Sequence, residues 1–184
     1  MTAVCDAREN TEGPGGSAPD HATISSPLSR FHGASPPAPA WFRSALACEP
    51  QARFVPHEGA DIEVLDWGAE SRQPSLLLLH GSGASADWWR FLAPFLAQDR
   101  KVVALTWSGM GKSGWRPTYN FQSYADEAIH IARHIGLFEG GRKPILVGHS
   151  MGGMVGALCA TRNHVRFLAA VLIDSNIVDY SPPP

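Results

Sequence analysis

The sequence is poor in the features that most quickly classify a protein. It has 3 Cys among 184 residues, at positions 5, 48 and 159, too few and too scattered for a disulfide framework or a zinc site. It has no surplus of either charge: 15 Lys+Arg stand against 17 Asp+Glu, a net charge of −2. That balance leaves nucleic acid no electrostatic footprint and gives an anionic membrane little to attract. No apolar run approaches the length of a membrane span. No apolar stretch follows Met1, so no secretory signal is read. The expectation is a soluble, cytoplasmic protein with no metal, no cofactor, and neither nucleic acid nor membrane as partner.

What is present divides at about residue 50. Residues 1–50 are rich in Gly, Pro, Ser and Ala and carry no period of 2 or 3.6. Such a segment buries too little to offset backbone ordering, roughly 1–2 kcal/mol per residue, and is expected to be a disordered tail. Within it Trp41, Phe42 and Leu46 are spaced for a short helical turn that docks on the domain. The domain is expected over 51–184. Runs at 52–56 and 62–67 flank His57-Glu58-Gly59-Ala60 and predict a β-hairpin. Continuous apolar runs at 75–80, 101–106, 144–148 and 167–174 predict strands buried on both faces. Between them, 87–97 has helical spacing broken by Pro94. The pattern at 121–135 puts Tyr124, Ala128, Ile131 and Ile135 on one helical stripe, and 151–162 is a helix rich in small residues. Strands alternating with helices predict a three-layer α/β/α sandwich around a mostly parallel sheet.

One motif carries chemistry. Gly148-His149-Ser150-Met151-Gly152 lies between a strand and a helix, the G-x-S-x-G pattern of a nucleophile elbow. A serine at the tip of so tight a turn needs a strained backbone, and the flanking glycines leave room across it. The following helix aims its first amides, Met151 among them, at the same point, where they stabilise negative charge. Ser150 is therefore the candidate nucleophile. A second Gly-rich loop, His80-Gly81-Ser82-Gly83-Ala84, follows the strand at 75–80, and the Ser82 amide is the candidate second oxyanion donor beside Met151. Trp88, Trp89, Trp107 and Trp115 are candidates either for an acyl pocket or for core and surface packing. The stretch 106–114 imitates two phosphate motifs, ending in Gly-Lys-Ser and containing G-x-G-x-x-G. Both need a helix opening directly on the glycines, and Trp115-Arg116-Pro117 follows instead, so neither is a phosphate site.

These landmarks resemble the α/β-hydrolase family: HGSGAS after a third strand, WSGMGKS after a fourth and GHSMGG after a fifth. The resemblance implies a serine branch acting on esters, thioesters or carbon–carbon bonds, with a small acyl substrate as partner. It also implies that an acid and a histidine follow the serine in sequence. After Ser150 the chain holds His164, Asp174 and Asp179. His164 lies at the far end of the helix that starts at the elbow, too distant to act as base. Asp174, at a strand end, is either a catalytic acid or a residue capping the loop. His149 is directed away from Ser150, and His80, His130 and His134 are structural. The expectation is therefore the amino-terminal portion of the fold, truncated after about the sixth strand and inactive as it stands. A non-catalytic remnant or binding protein on the same scaffold, and one half of a split enzyme, stay open beside it. The last strand, apolar and uncharged, is expected to be an exposed edge prone to self-association.

Overall fold

The computed structural model describes residues 28–69, 71–162 and 167–177. His164, Asp179 and residues 1–27 lie outside the described residues. Met1–Pro37 and Ala38–Pro184 form two separate units. The described part of the first, residues 28–37, holds one turn of 3-10 helix, Ser29–Phe31. There the Arg30 guanidinium sits 4.7 Å from the centre of the Phe31 ring.

The second unit opens on helix α1, Ala40–Leu46, so it starts before the boundary at 51 read from composition. The aromatic pair of α1 does the docking: Trp41 lies 6.2 Å from Phe95 and Phe42 stacks 5.9 Å from Phe91, ring centre to ring centre. The Trp67 indole donates to the Cys48 carbonyl at 3.2 Å, anchoring the chain where α1 ends.

Six strands follow: β1 (Gln51–His57), β2 (Ala60–Trp67), β3 (Leu76–Leu79), β4 (Val102–Leu105), β5 (Ile145–His149) and β6 (Ala169–Ile173). They form one sheet in the order β1-β2-β4-β3-β5-β6. β1 and β2 are an antiparallel hairpin, and β2 meets β4 antiparallel. β4, β3, β5 and β6 run parallel. The hairpin turns at Glu58 (φ 46°) and Gly59 (φ 81°), both left-handed, the two-residue turn whose twist matches the strands it joins.

The apolar runs are explained by layers on both faces. Leu77 and Leu79 of β3, with Val103 and Leu105 of β4, face α3 (Phe121–His134) and α4 (Met151–Arg162). Leu76, Leu78, Val102 and Ala104 point the other way, against Ala86, Trp89 and Ala93. With period 2 and both faces covered, no polar alternation is left. Each fully buried leucine contributes about 1.5–3 kcal/mol. The expected helix at 87–97 is split, as Pro94 requires: a 3-10 turn at Ala86–Trp89, then a single turn of helix, α2, at Ala93–Leu96. α3 starts on a reciprocal cap. The Asn120 side chain accepts from the Ser123 amide at 2.8 Å, and the Ser123 hydroxyl accepts from the Asn120 amide at 3.1 Å, an arrangement that stabilises a helix start by about 1 kcal/mol. The expected stripe, Tyr124, Ala128, Ile131 and Ile135, is buried. Among the described residues no helix is long and apolar enough to cross a membrane.

β6 pairs with β5 on one side and is the last strand of the sheet. Leu168, Val171, Leu172, Ile173 and Ile177 are exposed along it. An uncharged apolar edge with unpaired backbone groups is a template for strand addition. The 184-residue chain is therefore expected to self-associate with rising concentration in sedimentation experiments, and Val171→Lys is expected to shift it towards monomer. A wild-type chain that stays monomeric at every concentration contradicts this.

Candidate active site

The parallel strands end at one edge of the sheet, and the two glycine-rich loops meet there. β5 runs into Ser150, whose φ of 52° places a non-glycine residue in the left-handed region, at a cost of about 1–3 kcal/mol. α4 begins at once. The Ser150 carbonyl accepts from the Gly153 amide at 2.9 Å and the Met154 amide at 3.2 Å, so Ser150 is the helix N-cap. A side chain at Gly148 would collide with the backbone of Gly152. One at Gly152 would collide with the Leu79 carbonyl and lie 2.6 Å from that of His80. The turn is as tight as the spacing predicts.

The loop after β3 lies directly against the elbow. A Cβ on Gly81 would stand 3.1 Å from Ser150 Cβ and 3.1 Å from His149 Nδ1. Among the described residues, neither the Ser82 nor the Met151 amide donates to a backbone carbonyl. The loop after β3 and the start of α4 thus meet at Ser150.

His80 holds that loop in place. Its Nδ1 lies 2.7 Å from the Gly81 carbonyl, and its Nε2 accepts from the Trp107 amide at 3.0 Å. An Nε2 that accepts is unprotonated, so Nδ1 carries the proton and donates to Gly81. The Trp107 indole in turn donates to the His80 carbonyl at 2.9 Å. The ring is fully buried, and burial pushes its pKa down to about 4, against the opposing pull of the Gly81 bond and the Glu63 charge.

The loop after β4, in which composition revealed only failed phosphate motifs, is fastened by a buried carboxylate. Glu63 of β2 is 2% exposed. It accepts from the Thr106 hydroxyl at 2.7 Å and pairs with Lys112 at 3.1 Å. Thr106 Oγ1 also accepts from the Ala86 amide, and Ser113 Oγ accepts from the Glu63 amide while donating to the Thr106 carbonyl. Nearby, Glu127 of α3 accepts from the Ser108 amide at 3.0 Å and meets Arg116 at 3.1 Å, and Arg116 reaches Glu58 at 2.9 Å. Burial pushes the Glu127 carboxyl up despite that guanidinium. A clue to this network stood in the sequence: Glu63 lies between Ile62 and Val64 in a strand whose residues 62–67 are all buried.

The four tryptophans separate. Trp107 and Trp89 belong to the core, while Trp115 is 78% exposed. Trp88 stacks on His149, 5.4 Å between ring centres, at the rim beside Ser150. His149 is thus packed against an indole, and His130 Nε2 contacts the Pro56 carbonyl at 3.1 Å. Asp174 follows β6 with φ 46° and is exposed. Among the described residues no side chain hydrogen-bonds Ser150 Oγ, and Asp174 forms no ion pair. A cavity lined by Arg53, Asp66, Trp67 and Lys101 opens at the opposite edge, where β4 begins. Its charges are committed to one another: Asp66 pairs with Arg53 and, at 3.6 Å, with Lys101.

A mostly parallel sheet in which β5 enters a helix through a left-handed serine, with a glycine loop from the neighbouring β3 beside it, defines a hydrolase-type α/β fold. A family model described as "Alpha/beta hydrolase family" matches residues 76–184, starting at the first residue of β3. The chain belongs to the α/β-hydrolase family. It is 34% identical over 127 residues to a 2-hydroxy-6-oxo-6-(2'-aminophenyl)hexa-2,4-dienoic acid hydrolase of Metapseudomonas resinovorans, covering 67% of this chain and 42% of that one. It is 30% identical over 132 residues to the uncharacterized hydrolase YugF of Bacillus subtilis, covering 71% and 46%. A crystal structure described as a membrane phospholipase A, a bacterial virulence factor, superposes with a TM-score of 0.65 at 35% identity, over 72% of this chain and 42% of that one. The chain thus spans less than half the length of these relatives.

The His80 bonds predict a titration. With a pKa near 6.5 unfolded and about 4 folded, the unfolded state takes the proton first. The stability of the neutral ring is therefore complete above pH 6.5 and lost as pH falls to about 4, at about 1.4 kcal/mol per pH unit. The advantage of wild type over His80→Gln in denaturant unfolding should shrink across that window. A constant difference would contradict a ring held neutral by burial.

Proposed function

We propose that this chain carries the nucleophile and oxyanion hole of a serine hydrolase acting on an ester-like or related acyl substrate. The carrying observation is Ser150 itself, a strained left-handed residue at the start of α4 with the glycine loop after β3 against it. In this reading Ser150 Oγ attacks the acyl carbon, and the Ser82 and Met151 amides hold the oxygen that becomes negative. The Oγ proton passes to a base and from there to the leaving group; water then attacks the acyl-enzyme by the same route in reverse. The similarity to a phospholipase and to a dienoic acid hydrolase supports a hydrolytic reaction.

The base is assigned elsewhere. His80 spends both ring nitrogens on the two loops, His149 is stacked under Trp88, and His130 and His134 sit on α3. Asp174 is retained as a candidate acid by position alone, one residue past β6. None of these four histidines is left to serve Ser150, so in this reading the 184-residue chain is catalytically silent, with its nucleophile and oxyanion donors already in place.

Chemical rescue tests it. A fluorophosphonate should modify Ser150 slowly in plain buffer. Added imidazole, standing in for the missing base, should accelerate the modification in proportion to its concentration, recovering part of the ~10²–10⁴-fold that general-base catalysis supplies. Ser150→Ala should not react, and ester turnover without imidazole should stay at background. Modification at another residue would overturn the assignment of Ser150. Ser150-dependent turnover without imidazole would show that the chain holds its own base.

A further inference from the structure

Both peptide groups of Ser150 are tied to the end of β6. The Ser150 amide donates to the Ile173 carbonyl at 2.9 Å. The Ser175 hydroxyl lies 3.1 Å from the Ser150 carbonyl and 3.1 Å from that of Ile173. Between Ile173 and Ser175 stands Asp174, the second strained non-glycine residue at this edge, with φ 46°. Its left-handed turn brings the chain back so that Ser175, two residues beyond the strand, reaches across to the elbow.

The fit is close enough to dictate a glycine. A Cβ on Gly153 would collide with Ser175 Oγ, lie 2.8 Å from Ser175 Cβ and 3.0 Å from the Gly148 carbonyl. The third glycine of GHSMGG is thus required by a side chain 22 positions away, as well as by the turn. A left-handed serine persists only where its surroundings over-determine it, and its carbonyl is held from two sides: by the Gly153 and Met154 amides of α4, and by Ser175.

We infer that Ser175 is a positioning residue for the nucleophile: with Gly153 it clamps the Ser150 peptide in the left-handed turn that presents Oγ between the two amides. The inference rests on the reading of Ser150 as nucleophile. Ser175 touches no reacting atom; it acts through the Ser150 carbonyl.

The test separates positioning from mere folding. In the 184-residue chain, the imidazole-assisted rate constant for fluorophosphonate modification of Ser150 should fall about tenfold in Ser175→Ala, the loss expected for one neutral hydrogen bond. A merely structural role would lower the melting temperature and the fraction that reacts, leaving the rate constant of the folded fraction unchanged. A second pair of variants reads the clamp without chemistry. Gly153→Ala should melt well below wild type, and Ser175→Gly in that background should restore much of the loss by removing the side chain it strikes. A wild-type rate constant in Ser175→Ala, or no recovery in the double variant, overturns the inference. Should wild-type Ser150 fail to react at all, the nucleophile reading fails, and recovery of the double variant still decides whether Ser175 and Gly153 form a clamp.

Discussion

Everything at the carboxyl edge of this sheet depends on a contact with no room for a methyl group. The first turn of α4 presses on the end of β3 so closely that a Cβ at Gly152 would enter the Leu79 carbonyl. Backbone against backbone at that distance sets where the helix starts, and so where its free amides point. It forces the chain between β5 and α4 to reverse in one residue, which is why Ser150 is left-handed. It also draws the loop after β3 against the elbow, so that Gly81 meets both His149 and Ser150. Interiors pack too densely to yield a few tenths of an ångström without loss, so the turn at Ser150 is shaped first by its glycines.

Polar groups then stiffen what the glycines shape. The loops after β3 and β4 are each pinned from beneath by a buried polar residue. His80 bonds to Gly81 and Trp107, and Glu63 bonds to Thr106 while its own amide reaches Ser113. Buried groups of this kind are costly when unpaired and rigid when satisfied. Their effect is an edge that is ordered without a bound substrate, as electrostatic preorganisation requires.

The fold was legible where its causes are local. Short apolar runs located all six strands to within two residues at either end, Pro94 marked the break in its helix, and the Trp41-Phe42 pair identified α1 within an otherwise featureless segment. The elbow was legible for the same reason: two glycines, a serine and the strand–helix context sit within a dozen residues. What stayed hidden depends on distant partners. Nothing near Ser175 announces that its hydroxyl reaches Ser150, because the two are joined only by the pairing of β5 with β6. The loop at 106–114 read as a damaged phosphate motif, since the carboxylate that organises it lies in β2. Trp107 read as a pocket candidate until its indole was seen to bond the His80 carbonyl.

The proposed reading casts Ser150, with the Ser82 and Met151 amides, as a preformed nucleophile and oxyanion hole. The most direct measurement is a crystal structure of the chain with Ser150 phosphonylated. The account predicts the phosphonyl oxygen within hydrogen-bond distance of both the Ser82 and Met151 amides, with Ser150 still left-handed and both loops unmoved. An oxygen turned to solvent, or an elbow that relaxes to accept the adduct, would contradict it.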